Sequence, residues 1–248
     1  MVSGQWSVVS GQPNCTANGV YGALLNIFRN LDTSFFTNIL LSVIPALLCI
    51  TFHELSHGFT AYKLGDPTAK DLGRLTLNPI KHIDVFGLLM MVIFRFGWAK
   101  PVPVNMYNFK KPKWYMAITA IAGPLANLVM AVAVLFIYGL VFYPLYFGAG
   151  AGRVGSAVIE IIERTAYISV ALAVFNLIPI PPLDGSKVLF SLIPENAYYK
   201  LMRYERYGFL ILIVFINTGF FDRTVGQATY ALFNKLYSIA LFSFKLVN

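Results

Sequence analysis

The sequence predicts an all-α integral membrane protein, built as a multi-span helical bundle. Three observations carry that expectation. The chain of 248 residues is 57% hydrophobic and only 12% charged, whereas soluble domains run near one quarter charged. Its mean hydropathy is +0.66, which is more apolar surface than a soluble core can hide, so the excess must face lipid. The apolar residues also collect in segments close to the roughly 20 residues that a spanning helix needs.

The elements follow in chain order. Residues 1–35 read as an N-terminal arm. Within it Tyr21, Leu24, Leu25, Phe28 and Leu31 share one helical face, the pattern of a helix lying on the membrane surface. Residues 36–206 read as one membrane-embedded core. Its spans are about 36–60, 115–143 and 157–180. The apolar stretch 85–98 is too short to cross and contains Arg95, so it is expected to be re-entrant. Residues 207–248 read as C-terminal membrane helices: a short span at 207–221, then 225–247, which carries Lys235 and Lys245 and either spans or lies flat. Two stretches depart from helix. Arg74-Leu75-Thr76-Leu77 alternates, and the prolines of Pro101-Val102-Pro103-Val104-Asn105 forbid helical continuation. Short edge strands are expected at 73–78 and 101–105.

The net charge of +8 does not indicate nucleic acid, because the basic residues flank apolar segments instead of forming one patch. With 85–98 dipping in and returning, three loops share one side. They carry Lys63, Lys70, Arg74 and Lys81; Lys100, Lys110, Lys111 and Lys113; and Lys187, Lys200, Arg203 and Arg206. The opposite loop, 144–156, has only Arg153. Cytoplasmic loops are the ones rich in Lys and Arg, so the first group is placed in the cytoplasm. Two cysteines make no disulfide framework, and no secretory signal is visible at the N-terminus.

The chemistry begins at His53-Glu54-Leu55-Ser56-His57, an H-E-x-x-H pattern. On a helix, i and i+4 lie on one face, so both imidazoles can reach one ion, and the glutamate beside them can take a proton from water. Ionisable residues near the bilayer are costly and point to function. A catalytic zinc takes three protein ligands and keeps one position open. His82 and Cys49 are weighed as the third. His82 sits in a polar loop and reads better as an interfacial histidine. Cys49 is at i−4 from His53, but three ligands down one straight helix bind one ion poorly, so it reads as core. Asp184 is the strongest candidate. It ends Asn176-Leu177-Ile178-Pro179-Ile180-Pro181-Pro182-Leu183-Asp184-Gly185, where the prolines must break the helix and Gly185 permits a tight turn. The competing role for Asp184 is a helix N-cap.

HELSHG on one apolar helix, GPLAN on a later one and NLIPIPPLDG at the end of another resemble, in that order, the site-2 protease family of intramembrane zinc metalloproteases. The likeness spans 53–185 and fits the compact branch that lacks a PDZ domain. It implies one zinc ion held by His53, His57 and Asp184, with Glu54 as general base, inside a three-helix catalytic core. It also favours Asn176 for substrate and transition-state contact. Asn127, in the second motif, is a further candidate catalytic amide. Either asparagine could instead bond across helices as structural glue.

Peptide hydrolysis inside a membrane requires an unwound substrate, whose freed backbone groups find no partners in lipid. Pairing with a strand edge supplies them, so Val102, Val104 and Asn105 are expected to bind substrate. The expected partners are a membrane-tethered protein and the lipid bilayer, and the chain is compatible with a homo-oligomer. The place is the cell membrane, multi-pass, with the site near the cytoplasmic side. The resemblance implies regulated intramembrane proteolysis that releases a regulatory fragment. The alternative is a membrane transporter of zinc or another divalent metal, which leaves Glu54 without a role.

Overall fold

The computed structural model describes residues 33–87, 89, 100–148, 152–204, 207–208, 210–212 and 220–247. Residues 1–32 of the predicted arm, including the helix expected at 21–31, nearly all of the stretch 85–98 expected to be re-entrant and the middle of 207–221 lie outside them. The chain divides into two compact units, Met1–Leu40 and Leu41–Asn248. Of the first, residues 33–40 are described and are helical. The site lies wholly in the second.

Helix α1, Thr33–Lys63, contains Pro45 and carries the histidine motif near its C-terminal end. Gly65, at φ +107°, takes a left-handed conformation that glycine adopts without strain, and it turns the chain out of the helix. A short helix α2, Thr68–Asp71, follows. Helix α3, Pro112–Tyr146, starts with proline in its first turn, where the missing N–H costs nothing. Helix α4 covers Arg153–Asn176, α5 Asp184–Ser191, α6 Glu195–Tyr204 and α7 Phe220–Val247.

Helix α3 is the hub and packs on α4, α5 and α7. Ala131, Leu135 and Tyr138 of α3, Ile159, Ala166 and Val170 of α4, and Phe233 and Ala240 of α7 form one buried cluster. Small residues let the backbones approach. A Cβ on Gly139 would lie 2.1 Å from the Ala240 carbonyl oxygen, so only glycine fits where α3 meets α7. The helix turns polar residues inward and large apolar ones outward near the site. It buries Thr119 and Asn127 while Leu125 and Val129 are 50% and 65% exposed. Polar residues facing the bundle and apolar ones facing out is the arrangement lipid demands. Among the described residues, α3 is the one helix long and apolar enough to cross a membrane.

The predicted edge strands are absent: among the described residues no strand forms at 73–78 or 101–105. Residues 72–74 turn at Gly73, φ +62°, and Thr76 N donates to the Arg74 carbonyl. Segment 101–105 is extended but unladdered. Residues 101 and 103 face one edge in a strand, and both are prolines with no donor for a ladder. Side chains take over the pairing. Arg74 Nη2 donates to the carbonyls of Lys100 and Pro101 at 2.8 and 3.3 Å. Val102 N donates to Glu54 at 2.7 Å, and Asn105 N to Asp66 at 2.7 Å. The result is a strap, 100–108, tied by its main chain to three charged side chains.

Asp66 is the most heavily used of those ties. Besides Asn105 N, it accepts from Thr68 N, Thr68 Oγ1 and Asn108 Nδ2. Burial pushes its carboxyl up, but the hydrogen bonds from Thr68, Asn108 and Asn105 outweigh that and hold it below the ordinary range. A lowered native pKa stabilises above the unfolded value of about 3.9 and is lost as pH falls through the native one. The strap is therefore expected to keep its order down to about pH 4 and to loosen only below it. Protection of the Asn105 amide from hydrogen exchange is the readout, and loss of protection already at pH 5 would contradict the assignment. Asp66→Ala should loosen the strap at every pH.

Candidate metal centre

His53 and His57 stand one turn apart on α1, both buried. Asp184 reaches them from the start of α5. Residues 177–183 form tight turns, with Ile180 N donating to Ile178 O and Leu183 N to Ile180 O. Leu183, not Asp184, is the N-cap of α5, so the aspartate side chain is not spent on capping. Gly185 serves close packing more than a turn, since a Cβ there would meet the Leu177 carbonyl oxygen at 2.3 Å.

The three side chains present one compact triangle. His53 Nε2 and His57 Nε2 are 3.1 and 3.0 Å from Asp184 Oδ2, and 3.0 Å from each other. Lys187 Nζ stands 3.8 Å from the second oxygen, Oδ1. Among the described residues this is the one group of three or more His, Cys, Asp or Glu side chains placed to share an ion. Zinc bonds of about 2.0–2.1 Å in tetrahedral geometry require donor atoms about 3.3 Å apart. The triangle is within a few tenths of an ångström of that. The donor chemistry fits as well. His57 Nδ1 donates to the Thr119 carbonyl at 2.7 Å, and a carbonyl only accepts. With that hydrogen bond on Nδ1, the ring turns Nε2 toward the Asp184 carboxylate, the arrangement in which both atoms can hold one cation.

Helix α3 shapes the other side of the imidazoles with three residues spaced by four. Thr119 gives its carbonyl to His57. Gly123 gives space: a Cβ there would sit 2.5 Å from His57 Cε1 and Nε2 and 2.7 Å from His53 Cε1. Asn127 Nδ2 lies 3.2 Å from His53 Nδ1. Pro124 cannot donate to Ala120, one residue from the carbonyl that serves His57.

A cavity of about 480 Å³ opens on the triangle. Glu54 lines it, with Oε2 accepting from Val102 N. The strap forms one wall through Val102, Val104, Asn105 and Tyr107, and Asn176, Pro182 and Lys187 line it elsewhere. Asn176 donates to the Leu172 carbonyl of its own helix at 3.0 Å. Asn105 reaches the cavity, while its side-chain oxygen accepts from Tyr107 N. Val102 is mostly buried, at 7% exposure. Asn127 has no exposure and is absent from the cavity lining, so it stands behind His53 instead of facing a substrate. His82 lies outside the triangle, with Nε2 3.0 Å from the Thr76 carbonyl oxygen. Cys49 is buried in the core and donates to the Thr165 carbonyl.

Sequence reasoning missed Thr119, Asp66 and Lys187, and it named Val102 for substrate but not as the partner of Glu54. Thr119 and Val102 act through main-chain atoms that every residue has, so no side-chain signal marks them. Asp66 sits in the polar GDPT turn, where an aspartate followed two residues later by threonine is a recognisable turn signal. Lys187 lies three residues after Asp184 at the start of a helix, and that spacing could have drawn attention to it.

The chain is similar to known proteins. The pattern of Peptidase family M50 matches residues 148–216, the stretch with Asn176 and Asp184. YwhC of Bacillus subtilis is 40% identical over 176 residues, 71% of this chain and 80% of its own. Rip2 of Mycolicibacterium smegmatis is 30% identical over 197 residues, 76% of this chain and 71% of its own. The names of both class them provisionally as zinc metalloproteases. No solved structure matches. The chain belongs to peptidase family M50, the site-2 protease family of zinc metalloproteases.

Proposed function

We propose that this metalloprotease cuts a peptide bond within or near the transmembrane segment of a membrane-tethered protein, releasing a regulatory fragment. One observation carries the reading: three metal-type donors converge in a cavity walled by an extended strap, against a helix whose outer face is apolar. His53, His57 and Asp184 hold one zinc ion. Zinc, when bound, supplies Lewis acidity that polarises the scissile carbonyl and lowers the pKa of water to about 7.

The chain's own groups do the rest. Val102 N holds Glu54 Oε2, which orients the carboxylate and leaves Oε1 to receive the proton of the attacking water. Glu54 then passes that proton to the leaving amine. Asn176, on the cavity wall, turns its amide from Leu172 to the substrate backbone or the developing oxyanion. Val104 and Asn105 pair with the unwound substrate, which itself supplies the second strand. The basic loops support a multi-pass placement in the cell membrane with the cavity toward the cytoplasm.

The strap makes a separate prediction. Val102 carries the Glu54 hydrogen bond, so a proline there removes two things at once. Val104→Pro removes a strap donor and leaves the Val102–Glu54 hydrogen bond its own donor, at the cost of some packing against Ala61, Phe109 and Met116. It is expected to cut cleavage at least tenfold with zinc content unchanged, measured on a membrane-spanning peptide in liposomes. Cleavage at the normal rate would reject the pairing.

The test of the function is a proteomic comparison of cells that carry the active chain or its Glu54→Gln form. A single-span membrane protein should accumulate uncut in the second. If none does, and the wild-type chain instead moves zinc into vesicles, transport replaces proteolysis.

A further inference from the structure

We propose that Lys187 holds the outer oxygen of Asp184, so that this carboxylate grips the metal through one oxygen and the fourth position stays open. The inference rests on the reading of His53, His57 and Asp184 as the zinc site. Lys187 acts through Asp184, which makes it a positioning residue.

The two oxygens of Asp184 have different neighbours. Oδ2 lies 3.1 and 3.0 Å from His53 Nε2 and His57 Nε2, so it is the third corner of the donor triangle. Oδ1 faces Lys187 Nζ at 3.8 Å. The local fold fixes that division. Asp184 opens helix α5, and a residue three positions on lies on the same face. The helix has no room to slide. A Cβ on Gly185 would meet the Leu177 carbonyl oxygen at 2.3 Å. Ser186 is fully buried, and its Oγ donates to the Leu183 carbonyl at 2.7 Å. Past the far end of the helix, Lys113 Nζ donates to the Ile193 carbonyl. The Lys187 side chain is 25% exposed. Among the described residues that line the cavity, it is the one lysine or arginine.

Neither the helix nor the metal favours a lysine at this place. A cation near the start of a helix opposes the helix dipole, and one beside a dication is repelled by it. The neighbouring oxygen accounts for its presence. A carboxylate can bind a metal through one oxygen or through both. If Oδ1 swung to the ion, it would fill the position that a catalytic zinc keeps open. The ammonium offers Oδ1 an opposite charge outside the triangle, the kind of partner that orients a metal ligand. Lys187 thereby keeps a place for the water that Glu54 deprotonates.

Cobalt(II) in place of zinc reads the coordination number, since a four-coordinate ion absorbs visible light far more strongly than a five-coordinate one. The full-length protein should show the strong band. Lys187→Met keeps the length of the side chain without its charge, and should lose about half of that intensity or more. Lys187→Arg keeps the charge and should keep the band. In chelator competition, Lys187→Met should bind zinc as tightly as the wild type or up to about tenfold more tightly, because a repelling charge is gone. An undiminished band in Lys187→Met overturns the proposal. So does a tenfold loss of zinc affinity in that variant, which marks a packing role. A wild-type chain that takes up neither zinc nor cobalt overturns the metal-site reading itself.

Discussion

Replacing Glu54 with glutamine is expected to abolish peptide hydrolysis while zinc remains bound. The two side chains have the same shape, and a glutamine oxygen can still accept from Val102 N at the 2.7 Å seen for the carboxylate. The strap therefore stays seated. Glu54 is not a corner of the donor triangle, so His53, His57 and Asp184 keep their spacing. What disappears is basicity: an amide oxygen does not take a proton from water near neutral pH. General-base catalysis contributes roughly 10²–10⁴-fold, so the rate should fall at least a hundredfold. Zinc content by elemental analysis and cleavage of a membrane-spanning peptide in liposomes measure the two halves. A variant that keeps a tenth of the activity would remove Glu54 from the role of base. One that loses zinc would show that the glutamate also builds the site.

Gly123→Ala is expected to empty the site of zinc without touching any ligand. The added carbon would lie 2.5 Å from two atoms of His57 and 2.7 Å from one of His53, where ordinary contact is about 3.5–4.0 Å. Both rings must retreat by about 1 Å. Metal–ligand distances tolerate only about 0.2 Å, so the triangle opens beyond what one ion can bridge. The fold pays less, because a single overpacked methyl typically costs about 1–3 kcal/mol. Zinc affinity should fall by more than a hundredfold in chelator competition, while the protein stays folded. Gly226→Ala is the control, since a Cβ there meets nothing within 4 Å. Wild-type zinc binding by Gly123→Ala would mean that the rings can be seated elsewhere.

These two predictions also mark what was readable in the chain. The four-residue spacing of His53 and His57 places both rings on one face of any helix, and three prolines before Asp184 force the chain out of α4 near them. Side-chain type and spacing were enough for those. The strap was misread as strand because alternation of proline and valine fixes an extended backbone but not a ladder. The ladder depends on donors, and the prolines had removed them. Asn127 was legible as a polar residue in an apolar helix, but not as the neighbour of His53. That depends on how α1 crosses α3, which is set by Gly123, and the crossing is invisible in either helix alone. The carbonyl of Thr119 and the amide of Val102 belong to the main chain and have no letter in a sequence.

The manner in which residues 100–108 are tied down has a consequence for diversification. Arg74, Glu54 and Asp66 grip peptide atoms, which are identical for nearly every amino acid. Tyr107, at 84% exposure, hangs from a mount indifferent to its side chain. Under the proposed function, natural variation at this position would change which polypeptides are accepted without disturbing the main-chain tie to Glu54.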